Sequence, residues 1–268
     1  MIRIGLVGCG TIGSRLAIEI QRRFGETARL VGIYDHNPSA AKHLQKKLRV
    51  PVPILPPKQL LQRCQLLIEA ASASAVGQLL PEAIAHRKGM LVMSTGGLLQ
   101  HPDLIRKAVA RKIPLYLPSG AIAGLDGIKA AAIGRLKSIT LTTRKHPKAL
   151  AGAPGITRRK LQIDSLRTPR TIFKGSATKA VSDFPQNINV AATLALAGMG
   201  AARTQVRIVA DPTVQANIHE IKAMGTFGTL FVRTENRPAQ ENPKTSQLAV
   251  FSAIAALKQI LQPLRIGT

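Results

Sequence analysis

An apolar run from Ile2 to Val7 breaks into Gly8-x-Gly10-x-x-Gly13 and then into a helical pattern, and this constrains the chain more than any other feature. A strand that leads through a glycine turn into a helix gathers free backbone N–H groups and the positive end of a helix dipole at one point. The three glycines have separate tasks. The first permits the tight turn, the second lets the backbone approach a diphosphate, and the third lets the helix lie close against the strand. A second apolar run follows and ends at Asp35, about 20 residues further on, where an acid can accept hydrogen bonds from a ribose hydroxyl. Glycines alone also mark ordinary turns, so dinucleotide binding is inferred from the whole strand–loop–helix–strand unit. The residues expected to contact the cofactor are Gly8, Gly10, Thr11, Ile12, Gly13 and Asp35.

The same alternation continues. LVGIYD at 30–35, LLIEAAS at 66–72, MLVMSTGG at 90–97 and IPLYLPSGA from Ile113 read as strands with polar or small ends. Helical patterns separate them: SAAKHLQKKL from Ser39, AVGQLLPEAIAHRKG and HPDLIRKAVARK. Strands joined by helices of this length form right-handed crossovers and a parallel sheet, and such sheets bind ligands outside the carboxyl ends of their strands. Residues 1–120 are therefore expected to form a Rossmann-type α/β domain, with Ala71 and Ser72 among the groups lining the cofactor crevice.

Beyond residue 121 the texture changes. ITLTTRKH at 139–146, TIFKGSA at 171–177 and VRIVADP at 206–212 read as strands, and ANIHEIKAM with TLFVRTEN as a hairpin across Gly225 to Gly228. Residues 185–203 read as helical, with Pro185 near the start. The expectation for 121–241 is a smaller α+β domain with an open mixed sheet. The tail, 242–268, reads as a helix that packs back on the first domain.

Lys and Arg total 38 against 13 acids, a net charge of +25 and a pI near 11.3. Such a field attracts anions. Residues 141–181 hold ten of these cations and a single acid, Asp164, but the chain is only 3% aromatic and carries no nucleic-acid-binding signature, so no physiological nucleic-acid partner is expected. No apolar stretch reaches the ~18–20 residues of a membrane span, and no secretory leader is evident. Two cysteines, Cys9 and Cys64, give neither a disulfide framework nor a metal site, and the expected location is the cytoplasm. Cys9 reads as a small packing residue.

Histidine handles protons at neutral pH more readily than any other side chain. His43, His86 and His101 fall on helical or loop positions of the first domain, His36 follows the ribose acid, and His146 follows two cations. His219 stands apart. It lies in DPTVQANIHEI on a strand, with Asn217 and Ile221 on its own face by period-2 alternation. From the residues alone it is either a catalytic group facing a cofactor or a structurally satisfied histidine.

GCGTIG at 8–13, EAAS at 69–72, STGG at 94–97, SGAIAGLDGI at 119–128, LTTRK at 141–145 and FKGSA at 173–177 carry a resemblance that runs essentially the length of the chain. FPQNINVAATLALAG at 184–198, ADPTVQANIHEI at 210–221 and ENPKTS at 241–246 continue it. The chain resembles the L-aspartate dehydrogenases of archaea and bacteria. The resemblance implies an enzyme that uses NAD or NADP to oxidise L-aspartate to iminoaspartate, which hydrolyses to oxaloacetate and ammonia or feeds quinolinate and NAD synthesis. It implies His219 as the catalytic residue, and Ala123 and Asn189 as contacts near the nicotinamide. The two substrate carboxylates would need cationic anchors, for which Arg144 and Lys145 are the candidates, with Asn217 orienting His219 or a water. Asp35 would repel a 2′-phosphate while His36 and the positive protein soften that repulsion, so NAD is expected to be preferred and NADP tolerated. A homodimer and a hand-off to quinolinate synthase are the expected associations. Dihydrodipicolinate reductase, homoserine dehydrogenase and a non-catalytic dinucleotide sensor with a basic surface are competing readings, though the first two account less well for ANIHEI and ENPKTS.

Overall fold

The computed structural model describes residues 1–185 and 188–267, and all their side chains but those of Pro243 and Lys244. Gln186 and Asn187 of the FPQNIN string and Thr268 lie outside the described residues. The chain divides into two units, one of Met1–Pro118 with Val250–Arg265, the other of Ser119–Ala249 with Ile266–Thr268.

The first unit alternates strand and helix: β1 (Ile2–Val7), α1 (Thr11–Arg23), β2 (Ala28–Tyr34), α2 (Pro38–Lys47), α3 (Pro57–Arg63), β3 (Leu66–Glu69), α4 (Ala73–Ala85), β4 (Gly89–Val92), α5 (Thr95–Leu99), α6 (Pro102–Ala110) and β5 (Leu115–Tyr116). All pairings are parallel, in the order β2-β1-β3-β4-β5. The chain steps from β1 to one side and then, at β3, to the other. The carboxyl ends of β1 and β3 thus flank a topological switch point, where doubly wound sheets bind ligands.

Strand alternation sends apolar side chains to both faces. Ile4, Leu6, Ile33, Ile68 and Leu91 pack against Leu16 and Ile20 of α1 and Leu44 of α2. Leu67, Met90 and Val92 pack on the other side against Leu60 and Leu61 of α3 and Leu80 and Ile84 of α4. Continuous apolar strands with both faces covered are what a buried parallel sheet requires. STGG, read as the end of a strand, instead forms the first turn of α5, which Thr95 opens.

The second unit contains α7 (Leu125–Ile133), β6 (Leu136–Lys145), a 3-10 turn (Pro147–Ala149), α8 (Pro154–Thr157), β7 (Arg170–Ser176), α9 (Ala177–Asp183), α10 (Asn189–Ala197), β8 (Gln205–Ala210), β9 (Asn217–Gly225), β10 (Gly228–Asn236), β11 (Pro238–Ala239) and β12 (Asn242–Ser246). Its five-stranded sheet runs β10-β9-β6-β8-β7, with β6 and β8 parallel and the other neighbours antiparallel. The helix read over 185–203 is shorter, because Gly198 ends α10 and a turn leads into β8. The terminal helix, α11, spans Gln247–Leu261. Asn242–Ser246, read as its beginning, instead pairs with β11 as a two-stranded ribbon, which places 242–249 with the second unit. Ala253 and Leu257 of α11 join the α1 side of the first unit's core.

Candidate active site

The glycine loop has its shape imposed by the backbone around it. Gly8 takes φ +99, and a Cβ there would stand 2.3 Å from the Ala70 carbonyl oxygen at the end of β3. A Cβ on Gly13 would stand 1.9 Å from the Gly8 oxygen, so α1 can approach β1 only with hydrogen in that place. Gly10 differs. A Cβ there would meet nothing within 4 Å, so the chain's own packing gives no reason for glycine. The backbone is open at the N-cap of α1, where no side chain caps the helix and no acid occupies the first turn. That opening beside unpaired N–H groups fits a dinucleotide diphosphate.

Asp35 is tied to this loop. Its Oδ2 accepts the Cys9 N–H at 2.6 Å and its Oδ1 the Asn37 N–H at 2.8 Å. A carboxylate offers about four lone-pair sites, so capacity is left for a ribose. Burial, helped by Asp35, pushes the Cys9 thiol up to about 12, so it stays protonated and packs. Ala71 and Ser72 are exposed at the carboxyl end of β3, where Ser72 Oγ caps α4 through the Ala75 N–H. Glu69 goes unnoticed in sequence, standing at the end of an apolar run. Its fully buried carboxyl accepts from Ala71 N–H at 2.8 Å, Ser94 N–H at 3.0 Å and Ser94 O–H at 2.8 Å, fastening the ends of β3 and β4 together. Burial pushes this carboxyl up even against the donated bonds.

In the second unit a polar row crosses one face of the sheet. Thr143 of β6 and Thr234 of β10 are the cross-strand partners of His219 on β9. His219 is 3% exposed, and its Nδ1 lies 3.0 Å from Thr143 Oγ1. Lys145 shares this face by alternation from Thr143 and is itself buried. Burial, and then the Lys145 charge, pushes His219 down to about 3, while burial alone pushes Lys145 down to about 8. The imidazole is thus neutral at physiological pH. Asn217 donates from Nδ2 to Ser246 Oγ at 3.4 Å. The Ala121 carbonyl accepts from Thr234 Oγ1 at 3.0 Å and Asn236 Nδ2 at 2.9 Å, which bolts the loop carrying exposed Ala123 to the row that holds His219. Asn189 opens α10.

Arg144 and Lys145 do not act together. Adjacent strand residues point to opposite faces, and Arg144 pairs with the buried Asp211 at 2.8 Å. Desolvation opposes the Asp211 carboxylate, but hydrogen bonds from Thr213 and Arg144 hold it below its usual range. Arg144 thus stands on the face opposite Lys145, its guanidinium held by Asp211.

Two family descriptions match: "Homoserine dehydrogenase, NAD binding domain" over residues 8–118 and "Aspartate dehydrogenase, C-terminal" over residues 126–260. An L-aspartate dehydrogenase from Methanocella arvoryzae is 44% identical, with all of both chains covered. The chain belongs to the L-aspartate dehydrogenase family. Other members include those of Methanosarcina barkeri, 43% identical, and Nitrosopumilus maritimus, 41% identical, again over all of both chains. The crystal structure of aspartate dehydrogenase from Thermotoga maritima shares the fold, with a TM-score of 0.76 at 24% identity and complete coverage of both chains. Membership makes this chain an oxidoreductase with a nicotinamide dinucleotide cofactor. Among the described residues no helix is long and apolar enough to cross a membrane, and no cluster of metal-ligating side chains occurs.

Proposed function

We propose that the protein catalyses NAD(P)-dependent oxidative deamination of L-aspartate. The observation that carries this reading is the buried Thr143, His219 and Lys145 group on one sheet face of a chain from this family. The first unit holds the dinucleotide, with the diphosphate against Gly8, Gly10, Thr11, Ile12 and Gly13, the ribose on Asp35, and Ala71 and Ser72 at the neighbouring strand end. Ala123, through its backbone, and the Asn189 amide contact the nicotinamide end, since a carboxamide needs one donor and one acceptor. A bound nicotinamide would supply the acceptor for the hydride that leaves the substrate Cα.

The remaining chemistry falls to side chains of the second unit. Lys145 anchors a substrate carboxylate, which brings an opposite charge to this buried place. Burial is the larger cause that holds His219 down and the Lys145 charge the smaller; the arriving carboxylates offset that charge, so His219 becomes a stronger base once substrate is present. It takes a proton at Nε2, from the amine or from the water that attacks the imine, and Asn217 orients the imidazole or that water. Iminoaspartate is the product. It hydrolyses to oxaloacetate and ammonia, or passes to quinolinate synthase for NAD synthesis, which would spare a water-labile imine. NAD is preferred and NADP tolerated, through the Asp35 charge and the positive surroundings. Location in the cytoplasm and a homodimer belong to the same reading. Support for the dimer is the sheet face opposite His219, which exposes Met224 and Phe231.

The test follows reduced-nicotinamide absorbance with L-aspartate and, in reverse, with oxaloacetate plus ammonia. His219→Ala should lower kcat about a hundredfold or more with cofactor affinity near normal. A protein that binds NAD but shows no aspartate-dependent change, or a His219→Ala variant with wild-type turnover, would overturn the reading.

A further inference from the structure

We propose that Thr143 is a positioning residue for His219, accepting the Nδ1 proton so that the ring has one tautomer and Nε2 is the nitrogen that meets the substrate. This rests on His219 being the proton-handling group. Nothing in the family resemblance singles out Thr143, and in sequence it is one of two threonines in LTTRK.

The geometry is specific. Thr143 and His219 are directly paired across β6 and β9, and both are almost fully buried, at 2% and 3% exposure. Thr143 Oγ1 lies 3.0 Å from Nδ1 and is its hydrogen-bond partner among the described residues. Both side chains stand on paired strands, since β6 lies between β8 and β9, and β9 between β6 and β10. A β-branched threonine is stiff about χ1, so the oxygen is held where the ring must meet it.

Which nitrogen of a histidine carries the proton is set by the bond that the other one makes. With Nδ1–H donated to Thr143, Nε2 keeps its lone pair and can accept a proton. In the resulting imidazolium, Nδ1–H still donates to the same oxygen. Thr143 therefore serves both states without moving.

A hydroxyl and a carboxylate would orient the ring alike, but they differ in charge. A carboxylate at this place would favour the imidazolium. Thr143 adds no charge, its neighbours on this face, Thr234, Asn217 and Asn236, are neutral, and among the described residues Lys145 is the charged group that acts on His219. The resting ring thus stays neutral with an available Nε2. An arriving dicarboxylate offsets the Lys145 charge and adds to the ring's basicity, which couples proton transfer to occupancy of the site.

The experiment combines kinetics with nitrogen NMR of ¹⁵N-histidine-labelled enzyme carrying its nicotinamide cofactor. The His219 spectrum should show a protonated Nδ1 and a bare Nε2. Thr143→Val keeps the shape and removes the acceptor. It should lower kcat by roughly tenfold or more, part of the 10²–10⁴-fold that a positioned general base contributes, with cofactor Kd and Tm near wild type, and populate the other tautomer. Thr143→Ser should recover most of the activity and the original spectrum, which a purely structural role for the methyl group would not give. A wild-type ring protonated at Nε2 would overturn the proposal, as would Thr143→Val with kcat within about twofold of wild type. Should Thr143→Val not fold, the wild-type spectrum decides alone. Full turnover in His219→Ala would instead remove the reading on which this rests. An inactive His219→Ala beside an unimpaired Thr143→Val would remove Thr143 only.

Discussion

Gly10→Ala separates binding from folding. The residue is the N-cap of α1 at φ −73, a conformation open to alanine, and a Cβ there meets nothing within 4 Å. The unfolded chain loses entropy, which favours folding by about 0.4–1 kcal/mol, while alanine is the poorer N-cap by a similar amount. The two nearly cancel, so stability should stay within about 1 kcal/mol of wild type. Affinity for the dinucleotide should not. The added methyl occupies the space through which a phosphate oxygen reaches the N–H groups of Thr11 and its neighbours. Losing one charge-assisted hydrogen bond costs about 1.5–3 kcal/mol, a rise in Kd of roughly 10- to 150-fold. Gly13→Ala is the matched control, since its Cβ would overlap the Gly8 oxygen at 1.9 Å and should unfold the loop as well as spoil binding. Calorimetric titration with NAD and thermal unfolding of both variants provide the readings. Gly10→Ala with unchanged Kd, or with a Tm that falls alongside Gly13→Ala, would refute the assignment of that open backbone to the diphosphate.

Asp35→Ser should move the preference from NAD towards NADP and also weaken both, because Asp35 holds the glycine loop through Cys9 N–H. A ratio of Kd values unchanged from wild type would take Asp35 out of the ribose site. Lys145 sits at about 8 in the folded protein against 10.5 in the unfolded chain, so below pH 8 both states hold the proton and the native state bears the full burial cost. Between these values only the unfolded chain keeps it, and stability should rise with pH by roughly 3 kcal/mol in total. Lys145→Met should flatten that rise in urea unfolding at pH 8 and pH 10 while raising KM for aspartate; an unaltered slope would contradict a buried cation.

Periodicity made the first unit legible. Apolar runs alternating with helical spacing, and glycines at the turn between them, leave a doubly wound sheet as the arrangement that covers both strand faces. The same rule placed Asn217, His219 and Ile221 on one side of β9. What spacing along one strand does not give is the register of its neighbours. That Thr143 stands opposite His219, and Thr234 on its other side, depends on pairings between segments some 76 and 15 residues apart. Glu69 was hidden for a related reason, because the partners that make a buried acid tolerable come from Ala71 and, across the sheet, Ser94. Local spacing misleads about helix ends where it competes with strand pairing. Asn242–Ser246 has a helical look after its proline but finds a strand partner in β11.

The alternation of Arg144 and Lys145 along β6 has an evolutionary corollary. Guanidinium keeps its charge at any pH that a cell meets, whereas a buried ammonium surrenders its proton close to the physiological range. A one-residue shift of β6 against β9 would exchange the two. The imidazole would then live beside a permanent cation, and Asp211 would lose the partner that makes its burial affordable. Point substitutions in this strand can therefore be tuned one at a time, but insertions and deletions within it rewrite the electrostatics of both faces at once. The length of β6 thus sets the electrostatics of two faces, where the identity of any one residue sets that of a single face.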